Sequence, residues 1–408
     1  MSDIAEQYVK LVLAVGEHDS SYVDAYYGPE EWKTEVGASK PSLEKIRSDA
    51  AGLISTLGMM PAGDDEMSQL RHRYLVRQLE ALIARVDMLS GVKMTFDEES
   101  QALYDAVAPT YPESHFKAIL SRLDAEIPGE GPLPERYEAY KRGFVIPQDK
   151  LDTVFETAIE ACRERTLPHI PLPPGESFTV EYVKDKSWSG YNWYQGGYKS
   201  LIQVNTDLPI YIDRAIDLAC HEGYPGHHLY NALLEKSLVD DRGWLEYSVY
   251  PLYSPMSLIA EGSANYGIEV AFPGNERIEY ERKHLFPLAG IDPAGADRYY
   301  RIMDLMAELS YAGNEAARRY LNGEITADEA ARWLTTYTLS EPARAQQRVR
   351  FFDNYRSYVI NYNLGKDLVR EHIEARGGTE GNPAKRWEEF AALLSSPRLP
   401  SGLTRKKN

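Results

Sequence analysis

The sequence is poor in cysteine and in long apolar runs. Only Cys162 and Cys220 occur in 408 residues, so disulfide bonds cannot provide a stabilising framework. The first residues, MSDIAE, contain neither a basic segment nor an apolar stretch, so we expect no secretory signal and no membrane-spanning segment. This pattern predicts a cytoplasmic protein, although removal of a signal peptide would leave the same pattern.

Basic residues are outnumbered by acidic ones. The sequence has 45 Lys and Arg against 62 Asp and Glu, a net charge of −17. Such a surface would repel a phosphate backbone, so we expect no nucleic-acid partner. No low-complexity or Pro/Ser-rich linker divides the chain, and a hydrophobic content of 43% is enough for a large core. One extended domain, or two tightly packed lobes, is therefore expected.

Apolar periodicity predicts a mainly α protein. Apolar residues recur with a period of about 3.6 over residues 43–57, 67–89, 115–127 and 151–165, which predicts core-facing helices. The period changes between residues 178 and 206, where three short strand-like runs predict a small antiparallel β-sheet. That sheet would immediately precede the helix that carries the strongest functional motif. This helix is predicted to run from residue 208, capped by Asp207, to Pro225.

The motif is the run HEGYPGHH at residues 221–228, which holds three of the nine histidines. Without Pro225 and Gly226 it would read H-E-x-x-H, in which two histidines bind zinc and the glutamate is a general base. In an ideal helix, His221 and His227 would lie roughly 120° apart around the axis, too far to share one ion. The Pro-Gly pair predicts a two-residue bulge that restores their one-turn relationship. The alternative interpretation is a helix end whose histidines are caps or surface groups.

A second helix is predicted to start at Ser254-Pro255 and to carry Glu261 within an apolar stripe. A carboxylate in such surroundings is costly unless a partner neutralises it, and a metal ion would do so. Tyrosines recur further on, at Tyr355, Tyr358 and Tyr362, where they could line a cleft.

These segments resemble the DUF885 family, bacterial proteins of largely undefined activity that are grouped with the gluzincin-like zinc-peptidase superfamily. The resemblance rests on residues 218–229, on EGSANY at residues 261–266, and on the Y-x-x-G pattern that begins at Tyr362, and it spans roughly residues 180–395. It implies a helical metallopeptidase-like fold. The apolar periodicity predicts a helical N-terminal lobe over residues 1–170. A gluzincin-like catalytic region would span residues 171–408, and the two would form one compact unit.

The resemblance also implies the chemistry of the site. His221, His227 and Glu261 would be the metal ligands for Zn²⁺, Glu222 would be the general base, and Tyr362 would stabilise the oxyanion. The substrate would be a short peptide or another amide, bound along the edge strand of the small sheet. Residues 200–205 are the candidate edge, with a purely covering role for the strands as the alternative.

Two other functions fit the same residues. A metal-dependent lyase or a non-peptide hydrolase would use the same ligands. A non-catalytic binding protein would hold a structural metal or none, although a structural site has no need of Glu222.

Overall fold

Helices account for most of the chain in the computed structural model, which describes residues 1–186 and 188–403. The N-terminal helices are α1 Ser2–Gly16, α2 Glu30–Ser39, α3 Leu43–Met59, α4 Glu66–Leu89, α5 Phe96–Tyr104, α6 Glu113–Glu126, α7 Leu133–Lys141 and α8 Leu151–Thr166. The middle helices are α9 Asp213–Leu218, α10 His227–Leu234, α11 Pro255–Ala271, α12 Glu276–Tyr280 and α13 Phe286–Ala289. The C-terminal helices are α14 Ala296–Glu308, α15 Ser310–Leu321, α16 Ala327–Tyr337, α17 Pro342–Tyr355, α18 Ile360–Ala375, α19 Pro383–Leu394 and α20 Pro400–Leu403. The mainly α class is confirmed.

Five short strands form two small sheets. They are β1 Val23–Tyr26, β2 Ser177–Val183, β3 Gly190–Gly196, β4 Lys199–Asn205 and β5 Val249–Pro251. Strands β1 and β5 pair antiparallel. The three-stranded sheet has the order β2-β4-β3, with β3 antiparallel and β2 parallel to β4. The sheet at the expected position is therefore mixed, because β2 pairs in parallel with the edge of β4 that faces away from β3.

The position of β4 contradicts one expectation. Residues 200–205 belong to the central strand of the sheet, so they cannot be a free edge. The turn at Gly196 and Gly197, both with positive φ, folds β4 back against β3, and β2 then covers its other side. The strands at the edges are β2 and β3.

The helix that leads to the motif starts later than expected. Residues 210–212 pair instead with residues 144–146, through Ile146 N–H to Ile210 O at 2.8 Å and Ile212 N–H to Phe144 O at 2.9 Å. Asp207 does not cap a helix but accepts a hydrogen bond from the Asp185 amide at 2.8 Å. Helix α9 consequently begins at Asp213. By contrast, α11 begins at Pro255, as Ser254-Pro255 predicts.

Three apolar cores extend across residue 170. One joins α1 and α3–α5 to α15–α18, and another joins α8 to the segment that carries the motif. The third joins α6 and α7 to α14–α16. Each of these cores therefore contains residues from both sides of position 170. No helix among the described residues is long and apolar enough to cross a bilayer.

Candidate metal centre

The motif backbone widens before the proline and then breaks. Helix α9 continues as a π-helical turn over Ala219–Gly223, and Tyr224 is extended at φ −118° and ψ 122°. Helix α10 starts at His227. A Cβ built on Gly226 would lie 1.9 Å from the carbonyl oxygen of His221, so only glycine fits there. The bulge expected at the Pro-Gly pair thus includes the π turn before it.

This backbone brings the two motif histidines together. The rings of His221 and His227 have centroids 4.6 Å apart and are almost perpendicular, at 88°. Their Nε2 atoms lie 3.3 Å and 3.7 Å from Oε2 of Glu261 on α11. One ligand atom from each of the three residues lies within 4.8 Å of the other two. Oε2 of Glu261 is buried and receives no hydrogen bond from the described residues, which makes it suited to a cation.

The protonation of Glu261 and that of His221 are linked. Burial alone would raise the pKa of Glu261, but its contacts with His221 and His227 more than offset burial and hold the pKa below its ordinary value. Burial alone would lower the pKa of His221, whereas Glu261 and the charge of Glu222 raise it to about 9. A cation that binds here must therefore displace a proton from His221.

Two neighbours fix the orientation of the group. Asn265 lies one helical turn after Glu261, and its Oδ1 is 3.1 Å from Nδ1 of His221. The Asn265 amide donates to the carbonyl oxygen of Tyr362 at 3.1 Å. The hydroxyl of Tyr358 donates to Oε1 of Glu261 at 2.8 Å. Metal-binding histidines commonly have such an outer partner on the second ring nitrogen. The i+4 spacing of Asn265 from Glu261 is the sequence signal that could have identified it.

Glu222 lies beside the group without belonging to it. Its side chain is buried, and Oε2 has no hydrogen-bond partner among the described residues. Its backbone carbonyl accepts a hydrogen bond from Asn192 on β3 at 2.8 Å. A Cβ on Gly190 would lie 2.9 Å from Oε1 of Glu222, so the carboxylate packs directly against the β3 backbone. An unpaired buried carboxylate at this position can act as a base.

Tyr362 lines the same cavity as the three residues and Glu222. The cavity has a volume of about 670 Å³, and Tyr355 and Tyr358 also line it. Burial is the main reason why the pKa of Tyr362 lies well above its ordinary value, and the charge of Glu261 adds to it. A phenol with such a pKa stays protonated and can donate a hydrogen bond.

Sequence reasoning missed Asp24 on β1. Tyr191 on β3 donates a hydrogen bond to it, and both residues line the cavity. Burial raises the pKa of Asp24 to about 6, although the Tyr191 bond and the charge of His227 lower it. Asp24 and Tyr191 are 167 positions apart, so no local pattern connects them.

The third motif histidine points elsewhere. Nε2 of His228 lies 3.0 Å from Oε2 of Glu176, and Nδ1 lies 2.8 Å from Oγ of Ser200. The Tyr224 hydroxyl donates to the same Glu176 oxygen at 2.5 Å. His228 is only 1% exposed, and this buried cluster joins α10 to β4.

The strand beside the cavity is β3. Because Asn205 N–H bonds to Ser189 O at 2.9 Å, the ladder alternation directs the backbone groups of Gly190 and Asn192 away from β4. Both residues line the cavity. The free edge next to the site therefore belongs to residues 190–192.

Comparison with known proteins identifies the fold but no family. No family model matches the chain, and no curated protein matches it. A presumed lipoprotein from Colwellia psychrerythraea superposes with a TM-score of 0.54 at 16% identity, over 89% of this chain and 68% of its own. A presumed lipoprotein of unknown function from Shewanella oneidensis gives 0.47 at 12% identity, over 91% and 75%. The M32 carboxypeptidase from Deinococcus radiodurans R1 gives 0.36 at 12% identity, over 96% and 88%. Only the first value exceeds 0.5, so the shared fold rests on the Colwellia protein.

Proposed function

We propose that this protein is a zinc-dependent hydrolase, a metallopeptidase that cleaves short peptides. The observation that carries the proposal is the convergence of His221, His227 and Glu261 beside the unpaired carboxylate of Glu222. Two imidazole nitrogens and one carboxylate form a donor set that suits zinc in catalytic sites, so these three residues would hold the ion. The buried Oε2 of Glu261, without a hydrogen bond from the described residues, fits the same assignment.

Zinc, when bound, would supply Lewis acidity toward a carbonyl oxygen and would make a water molecule more acidic. Glu222 would accept the proton of the attacking water and pass it to the leaving amine. Asn265 would hold the His221 ring in one orientation, and Tyr358 would do the same for the Glu261 carboxylate. Tyr362 would donate a hydrogen bond to the oxygen on which negative charge develops.

The free edge of β3 supports a peptide as the substrate. The outward N–H and C=O groups of Gly190 and Asn192 would pair with an extended backbone, as in the addition of a strand to a sheet. Such pairing would place a peptide bond of the substrate near Glu222, because the carboxylate packs against Gly190. No comparable observation favours a lyase or a non-peptide hydrolase. Membership of the DUF885 family and a cytoplasmic location stay predictions.

Metal analysis and a cleavage screen test this proposal. The purified protein should retain about one zinc per chain, and a peptide library followed by mass spectrometry should show cleavage that a chelator abolishes and added zinc restores. Cleavage that persists in full after verified metal removal would exclude the proposed chemistry. Metal retention without cleavage of any peptide would exclude the peptidase.

A further inference from the structure

Arg348 on α17 lines the same cavity as the candidate metal centre but has no anionic partner. Among the described residues, neither an ion pair nor a hydrogen bond involves its guanidinium. The contacts that it makes are with aromatic rings. Its Cζ lies 4.5 Å from the ring centre of Phe351, 5.7 Å from that of Phe352 and 6.0 Å from that of Tyr362.

The other arginines at this cavity are in a different situation. Arg214 is paired with Asp217 at 2.7 Å. Arg344, one turn before Arg348 on the same helix, donates to the carbonyl oxygen of Pro209 at 3.4 Å. Arg348 is thus the cavity arginine whose five donors are left for a ligand.

Arg348 is half-buried, and taking a cation partly out of water without a partner is costly. Burial also lowers the pKa of the Arg348 guanidinium below its ordinary value, and no carboxylate opposes that effect. An anionic group of a ligand would offset this cost, and a planar carboxylate matches the fork of donors that arginine presents.

Arg348 is also close to the proposed catalytic residues. The charge of Glu261 raises the pKa of Tyr362, and the charge of Arg348 lowers it. The rings of Tyr358 and Tyr362 have centroids 5.8 Å apart. The carboxylate of Glu261 lies at one end of this series of contacts, and the guanidinium of Arg348 lies at the other. A short substrate with an anionic end would therefore bind in one direction, with that end away from Glu261 and Glu222.

We propose that Arg348 binds the terminal carboxylate of the peptide substrate, so that the site selects peptides with a free C-terminus next to the cleaved bond. This inference rests on the proposed function for the identity of the substrate. The binding step itself can be measured without turnover.

The experiment compares acetyl-trialanine with a free carboxylate and its C-terminal amide. Binding is measured by calorimetry on zinc-loaded Glu222→Gln protein, with the metal content verified. The acid should bind about 10- to 100-fold more tightly than the amide, the range expected for a hydrogen-bonded ion pair. Arg348→Gln in the same background should remove this difference, and Arg348→Lys should restore part of it.

Arg350→Gln is the matched control, because Arg350 lies two residues further along α17 and is exposed. It should leave the preference for the acid unchanged. Equal binding of acid and amide, no binding of either, or an unchanged preference in Arg348→Gln would each overturn the inference. If the preference for the acid is lost in Arg344→Gln instead, Arg344 and not Arg348 binds the carboxylate, which would also overturn the inference.

Turnover then separates this inference from the proposed function. A preference for the acid in binding without any cleavage would leave the Arg348 site intact and remove the peptidase. Cleavage of acid and amide at equal rates would leave the peptidase and remove the carboxylate site. In an active enzyme, Arg348→Gln should raise KM for the acid much more than it lowers kcat. An equal fall of kcat on acid and amide would show that Arg348 acts on the oxyanion, which contradicts the proposal.

Discussion

Gly262 on α11 and Gly365 on α18 are in direct backbone contact. A Cβ built on Gly262 would lie 2.4 Å from the carbonyl oxygen of Gly365, and one on Gly365 would lie 2.7 Å from that of Leu258. The first glycine follows Glu261, and the second follows Tyr362 by three residues. The close approach of these helices is therefore what brings the Tyr358 hydroxyl to Glu261.

We predict that Gly365→Ala separates these two helices. Overpacking typically costs ~1–3 kcal/mol, and here backbone atoms would have to move. Affinity for zinc should fall as well, because Glu261 would shift from the histidines. Gly52→Ala on α3 is the control, since nothing lies within 4 Å of its added Cβ and alanine should stabilise that helix by about 0.5–1 kcal/mol. Urea unfolding and metal titration measure both effects, and an unchanged midpoint for Gly365→Ala would contradict the contact.

The three motif histidines should differ in their effect on metal binding. His221→Ala and His227→Ala should each abolish retention of zinc in equilibrium dialysis, and Glu261→Ala should weaken it while circular dichroism stays unchanged. His228→Ala should keep most of the metal. It should instead lower the free energy of unfolding by about 1–3 kcal/mol, because Glu176 and Ser200 lose their buried partner. Loss of metal in His228→Ala but not in His227→Ala would show that the ligand assignment is wrong.

Glu222→Gln tests the base. The amide should leave the metal in place, since Glu222 lies outside the group of three. Turnover of any peptide found in the screen should fall by at least ~10²–10⁴-fold, because a neutral amide cannot accept a proton. A metal-replete variant with the wild-type rate would exclude Glu222 as the base.

Gly190→Ala should displace the carboxylate of Glu222, because Gly190 on β3 lies against it. The added Cβ would lie 2.9 Å from Oε1 of Glu222 and 2.8 Å from Cδ2 of Leu218. We expect the metal content to stay near the wild-type value. We expect kcat to fall by about 10- to 100-fold, because the Glu222 carboxylate is misplaced. Unchanged kcat would mean that the position of this carboxylate does not matter for the reaction.

Glu176 should make the fold sensitive to acid. Burial alone would raise the pKa of Glu176, but hydrogen bonds from His228, Tyr224 and Arg163 lower it to about 2. Because the folded-state pKa is below the ordinary value of about 4.3, this stabilisation is present above pH 4.3 and is lost as the pH falls toward 2. Urea unfolding at pH 6 and pH 3 should therefore show a smaller acid-induced loss in Glu176→Gln. Glu44→Gln, at an exposed position, is the control and should match the wild type.

Local rules predicted several of the longer helices. The 3.6-residue pattern places α3, α4, α6 and α8 within two residues of their observed ends, because each buries one continuous apolar face. The amphipathic pattern over residues 297–320 predicts one long helix, whereas the structure divides this region between α14 and α15. Strand order could not be predicted, since β2 is adjacent in sequence to β3 but pairs with β4.

The local chemistry of the motif follows from the residues of the motif alone. Pro225 and Gly226 require a break in the helix, and that break places His221 and His227 on the same side. The backbone of a few neighbouring residues is enough to set this geometry. The residues that surround these two histidines depend instead on long-range packing. The cavity is lined by Asp24 from β1, by Tyr358 from the segment that precedes α18, and by Arg348 from α17. Their positions depend on packing between elements that are distant in sequence. Such contacts follow from the burial of whole helix faces, which no single segment specifies.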